Sequence, residues 1–193
     1  MHFHTPLTVL SFLLFLAFHP GVTAITTAEV KNLYMDMTND LKAIGATAAA
    51  ITVLDAAPYA LGQGRYKTVE NQINALTNKT DGYLPRLLDY GPPVGPSLTP
   101  SDVDILVEAI TQFTTQVAYA FAAVRSKAGL FSVAQLPVEK ISSASSGYYL
   151  AYASLFRFLL KDCGLVTRTY GTADSGFNEI QATILAYRGT VLS

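Results

Sequence analysis

The stretch Thr99-Pro100-Ser101-Asp102-Val103-Asp104-Ile105-Leu106-Val107-Glu108-Ala109-Ile110-Thr111-Gln112-Phe113 joins a set of helix-start signals to a helical apolar repeat. Thr99 can cap the first free backbone N–H groups. Pro100 occupies the first helical position, where a missing N–H costs nothing, and Asp102 and Asp104 meet the positive end of the helix dipole. Val103, Leu106, Ile110, Phe113, Val117, Ala120 and Val124 then recur at helical spacing. Arg125 and Lys127 suit a last turn that Gly129 closes.

Four more helices are predicted around this one. Thr26 and Glu29 form a capping box ahead of Val30, Leu33, Met37, Leu41, Ile44, Ala48, Ile51 and Leu54, one stripe along a first helix of about 30 residues. Ala57-Pro58 ends it, and Gly62-Gln63-Gly64 makes a turn. A second helix starts near Arg65 and carries Val69, Ile73, Leu76, Tyr83, Leu87 and Tyr90, with Pro85 expected to kink or split it. Gly91 to Pro96 reads as a connecting loop. The fourth helix begins near Pro137 and carries Ile141, Tyr148, Tyr152, Leu155 and Leu159, with Cys163 at its end and Gly164 as the stop. The fifth follows a cap at Thr172 or Asp174 and carries Phe177, Ile180, Ile184, Tyr187 and Val191. No alternating run of β-branched residues bounded by hairpin turns occurs. The predicted fold class is all-α, a bundle of about five amphipathic helices in a single domain, residues 25–193.

Residues 1–24 read as a secretory signal. Leu7 to Phe18 is apolar and Val22-Thr23-Ala24 is a small-residue cleavage site, although His2 and His4 stand where Lys or Arg is usual. The three histidines, His2, His4 and His19, all precede the cleavage point, so the mature chain has none; it also has no Trp and one cysteine, Cys163. A Ser-His-Asp triad, a Cys-His pair and a His-ligated metal site all need imidazole, so no catalytic or metal residues are assigned. One cysteine excludes an internal disulfide framework. No cofactor is expected. Charged residues are 14% of the chain, against roughly 25% in an average globular protein. No basic cluster attracts nucleic acid or an anionic membrane, and no segment after residue 24 is long and apolar enough to span a bilayer. The C-terminus lacks the hydrophobic tail of a GPI signal. A secreted protein, extracellular or held in a cell wall, fits these limits.

Several groups carry candidate chemistry. Asp36 with Asp40, and Asp104 with Glu108, are carboxylates one turn apart, the kind of pair a glycosidase uses. Asp36 and Asp40 lie off the apolar stripe and Asp104 lies in a first turn, so these are read as solvated and dipole-facing groups. Cys163 reads as a small buried hydrophobe rather than a nucleophile, with an intermolecular disulfide as the other use. Asn78-Lys79-Thr80 is a glycosylation sequon, so Asn78 is the modification candidate. Tyr148, Tyr149, Tyr152, Phe156 and Phe158 crowd one helix that is apolar almost all round. Such a helix is either central to a packed core or faces a lipid cavity or greasy patch.

A secreted chain of this size, without His and nearly without Cys, resembles the fungal hydrophobic surface binding protein A family, also described as cell-wall galactomannoproteins and including an antigenic cell-wall mannoprotein. The resemblance rests on the long opening helix Val30 to Leu54, the Tyr59 to Gly64 turn and Leu98-Thr99-Pro100-Ser101-Asp102. The Phe131 to Pro137 connection and the closing amphipathic helix complete it. It spans nearly the whole mature chain but includes no catalytic signature, and this chain is richer in Tyr and Phe than the family pattern. The resemblance implies a non-enzymatic protein that adsorbs to hydrophobic surfaces, recruits secreted hydrolases, or binds long-chain fatty acids inside the bundle. A passive wall mannoprotein, whose glycans do the work, is the alternative.

For a fatty acid, the bulkiest stripes would supply the bore: Ile110, Phe113, Val117 and Phe121 on the third helix, facing Tyr148, Tyr152, Leu155 and Leu159 on the fourth. No Lys or Arg lies on these stripes, so neutral groups are expected at the head, namely Gln112, Gln116, Ser145 and the Tyr148 hydroxyl. The opposing expectation is that these side chains close on one another, as protein interiors normally do.

Overall fold

The computed structural model describes residues 25–90, 98–132, 139–159 and 163–189. The signal expectation for 1–24, the Gly91 to Pro96 loop, Pro137 and Val191 lie outside them. The described chain is all-α: α1 (Thr27–Ala49), a 3-10 turn (Val53–Asp55), α2 (Ala56–Ala60), α3 (Gly64–Leu88), α4 (Pro100–Arg125), α5 (Ala128–Ser132), α6 (Glu139–Leu159) and α7 (Cys163–Gly189).

The five long helices form a closed ring in the order α1, α4, α7, α6, α3, each packed on two others. Contacts fix the directions. Thr80 of α3 reaches Met37 of α1 and Arg86 reaches Glu29, so these two are antiparallel. Thr114 meets Thr172, and Tyr187 reaches the Val124 carbonyl, so α7 runs parallel to α4. Tyr152 bonds Ala173 while Ser142 bonds Ile184, so α6 runs against α7. An odd ring cannot alternate throughout: Thr27 meets Asp102 and Gly45 meets Ala120, so α1, α4 and α7 run one way and α3 and α6 the other.

The α1–α4 contact brings two like-charged helix N-termini together, which the capping residues offset. Thr26 and Glu29 complete one capping box; Thr99 and Asp102 complete the other. Thr27 Oγ1 donates to Asp102 and lies 2.6 Å from the Tyr90 hydroxyl, joining both helix starts to the end of α3. Further along, Gly45 of α1 faces Ala120 of α4: a Cβ there would lie 3.6 Å from the Ala120 Cα, an ordinary packing distance.

The first helix stops earlier than its stripe predicts. Lys127 Nζ donates to the Ala49 and Ile51 carbonyls, both at 3.1 Å, satisfying the C-terminal end of α1. Asp55 then accepts from both the N–H and the hydroxyl of Thr52, which starts a new turn. Ile51 is still buried, but Leu54 points outward. Gly62 and Gly64 adopt φ of 74° and 81°, as the predicted turn requires. Pro85 does not split α3, which continues to Leu88: so near the end, its missing N–H forfeits only the one bond to the carbonyl four residues earlier.

Three other boundaries also differ. The third predicted helix ends at Arg125, and Gly129 lies inside the short α5. Gly164, expected to stop the fourth helix, lies in the first turn of α7, and Thr172 and Asp174, expected as caps, sit in its middle. Thr172 instead pairs with Thr114 and with the Thr169 carbonyl, which are interior uses of a hydroxyl.

Hydrogen bonds from Thr27 and then Thr99 hold the Asp102 carboxyl below its ordinary range. Tyr83 and then Lys79 do the same for Asp36. A depressed carboxyl adds stability that is complete above its unfolded value, near pH 4, and is lost as pH falls through the folded value. The urea midpoint should therefore fall between roughly pH 4 and pH 2, and Asp102→Asn should flatten that fall. An equal slope in the variant would show that Asp102 has no part in it.

Candidate functional site

The centre of the ring is aromatic. Tyr34 of α1 meets Phe113 of α4 edge-on at 5.3 Å between ring centroids. Phe113 lies 6.0 Å from Tyr152 of α6, and Phe121 stacks on Tyr148 at 5.4 Å with planes 8° apart. Tyr152 continues into Phe156 at 5.8 Å and into Phe177 of α7 at 4.7 Å. Ile110, Phe113, Val117, Phe121, Tyr148, Tyr152 and Leu155 are all buried. The residues expected to face one another do meet, but across the ring, because α4 and α6 are not adjacent in it. The Leu159 and Cys163 side chains lie outside the described residues.

The expected polar groups divide. Gln112 points outward and bonds Glu108 at 3.3 Å. Gln116 is half-buried, with its amide over Gly45 on the α1 side. Both sit beside the inward row Phe113, Val117 and Ala120 rather than in it. Ser145 and Tyr148, one turn apart on α6, are fully buried in the centre. Neither Ser145 Oγ nor the Tyr148 hydroxyl has a hydrogen-bond partner among the described residues. Burial drives the Tyr148 hydroxyl well above its ordinary pKa, with Tyr152 and Tyr34 adding to the effect, so it stays protonated and can donate.

Other side chains complete the centre. Tyr34 was not part of the predicted α1 stripe, although it stands four residues after Val30 and three before Met37. Gly176 is the closest approach: a Cβ there would lie 2.5 Å from the Tyr152 hydroxyl oxygen and 3.2 Å from Val117 Cγ1. With Gly at 176, the Tyr152 hydroxyl donates to the Ala173 carbonyl at 3.0 Å.

The carboxylate pairs are on the surface. Lys79 of α3 bridges Asp36 and Asp40, and Tyr83 donates to Asp36 at 2.6 Å. Asp104 pairs with Arg168 of α7. Asn78 is exposed on α3, while Thr80 of the same sequon is fully buried against Met37.

No family model matches the sequence, and no curated protein matches it. The fold does have a solved counterpart. It is similar to AfMP4p, whose crystal structure is of a complex with palmitic acid, at a TM-score of 0.55 and 12% identity. The likeness covers 86% of this chain and 98% of that one. At that identity it is a likeness of fold.

Proposed function

We propose that the protein is a secreted, non-enzymatic carrier that takes a long-chain fatty acid into the centre of its helix ring. The observation that carries this reading is the pair of buried hydroxyls, Ser145 and Tyr148, left without partners among the described residues inside an aromatic core. Leaving a buried polar group unpaired costs about 1–3 kcal/mol. A carboxylate head would supply the missing acceptor for both, and the rings would enclose the tail, each buried methylene contributing about 0.8 kcal/mol. The rings are in contact, so the chain enters by displacing them. The palmitic acid held by AfMP4p, a protein of similar fold, supports the same reading. Native mass spectrometry of delipidated protein incubated with palmitate tests it: one retained acyl chain, lost on Ser145→Ala with Tyr148→Phe, is expected. Protein that stays ligand-free would overturn it.

A second reading, adsorption to hydrophobic surfaces, is favoured by one end of the bundle. Val53, Leu54 and Leu61 are 54%, 81% and 79% exposed there. Between Lys42 and Arg65 the only charge is Asp55, which pairs with Arg65. Depletion by alkyl beads should drop when Leu54 and Leu61 are both changed to Ser; unchanged depletion would remove this tip from the reading. Wall retention through a glycan on the exposed Asn78 is the further alternative, and enzymatic deglycosylation would then release the protein.

A further inference from the structure

We propose that the outer groove between α6 and α7 is a second site, separate from the centre, that holds a long-chain fatty-acid anion with its carboxylate on Arg188. The groove has a volume of about 340 Å³, and Tyr149, Leu150, Ile184 and Leu185 supply its apolar walls. That volume is at the lower end of small-ligand pockets, roughly 300–1,000 Å³. Leu150 and Leu185 are 68% and 59% exposed, yet they come from different helices and line one depression. The two leucines thus form a small continuous apolar surface on which an alkyl chain can lie.

Charge selects which occupant. Arg188 stands in the last turn of α7 and lines the groove with Gln181, and no carboxylate lines it among the described residues. No ion pair with Arg188 occurs among the described residues, whereas Arg65, Arg86, Arg125 and Arg168 each have one. An exposed guanidinium beside an apolar channel matches an amphiphile with an anionic head and an alkyl tail. The site needs no rearrangement of the centre: Tyr149 and Leu150 face the groove, while Ser145 and Tyr148 on the same helix face inward.

The chain contains no tryptophan, so Leu185→Trp places a single reporter in the groove. The probe is monomeric palmitate brominated in mid-chain, a contact quencher of indole. Saturable quenching is expected. Adding Arg188→Gln should weaken it about fivefold, the scale of an exposed charge pair. Brominated methyl palmitate, which lacks the charge, should quench both proteins at equal concentration, and Tyr148→Phe should leave the groove signal unchanged. No quenching, or quenching indifferent to Arg188→Gln, would overturn the site. Loss of the signal with Tyr148→Phe would also do so, by showing one site instead of two. Concentration-dependent dimerisation that shields the indole before any lipid is added would assign the groove to a second copy and overturn it equally. Failure of the central site alone would leave the quenching of Leu185→Trp intact.

Discussion

Phe113→Ala is expected to destabilise the protein by about 3–5 kcal/mol, the usual cost of removing a fully buried ring. Phe113 touches Tyr34 on α1 and Tyr152 on α6, so it links helices on opposite sides of the ring. A smaller side chain leaves a hole where three helices meet, and neither Tyr34 nor Tyr152 can fill it without losing its own packing. Urea unfolding followed by far-UV circular dichroism measures the loss. A cost below about 1 kcal/mol would mean that the ring relaxes around the gap, contrary to a close-packed centre. If palmitate restores part of the lost stability, the hole lies on the path the acyl chain takes.

Gly176→Ala has the next largest expected effect. In an exposed helix, Gly to Ala would stabilise by roughly 1 kcal/mol. Here the new methyl group would sit 2.5 Å from the Tyr152 hydroxyl oxygen and 3.2 Å from Val117 Cγ1. The Tyr152 ring must move, giving up its bond to the Ala173 carbonyl. Overpacking costs about 1–3 kcal/mol and an orphaned buried hydroxyl a similar amount, so after the helix gain the net change is a loss of about 1–5 kcal/mol. Adding Tyr152→Phe removes the nearest clashing atom and the orphan together, and should recover about 1 kcal/mol. A stable Gly176→Ala protein, or a double variant no better than the single one, would refute the close approach.

How far the sequence foretells this structure can be seen at particular residues. The caps at Thr26 and Thr99 stand where the side-chain pattern puts them, because a capping box is a local interaction of residues three apart. The stripe through Ile51 and Leu54 misleads because apolar periodicity cannot register a lysine seventy-odd positions away. Lys127 closes α1 at Ala49, and Thr52 with Asp55 is itself a start signal inside the apparent stripe. Gly164, Thr172 and Asp174 resemble punctuation in sequence, yet α7 runs through all three, since packing on α4 and α6 outweighs weak local propensity.

The candidate site shows the same division. The inward aromatic rows of α4 and α6 were readable from spacing. Their meeting across the ring, instead of along a shared seam, depends on the order of five helices, which no local pattern encodes. Gln112 and Gln116 are neutral donors next to Phe113 and Val117 in sequence, yet each lies one position to the side of the inward row. Ser145 and Tyr148 lie in the row, and their lack of partners is visible only once the neighbouring helices are in place. The α6–α7 groove had no sequence signal, because Leu150 and Leu185 come together only through the packing of two helices.

The Tyr148 hydroxyl is at once a liability of the empty protein and the proposed donor to the ligand. Tyr148→Phe removes it while keeping the ring stacked on Phe121. The decisive measurement is the urea stability of both proteins with and without saturating palmitate, Arg188 being unchanged so that the groove contributes equally. Without ligand, Tyr148→Phe should be more stable by about 1–3 kcal/mol, since an unpaired buried group is gone. With palmitate at about 100 times its dissociation constant, the wild type should gain about 2.7 kcal/mol, and the variant should gain clearly less. A variant that is less stable when empty, or that gains as much from palmitate as the wild type, would contradict the assignment of the ring centre as the fatty-acid site.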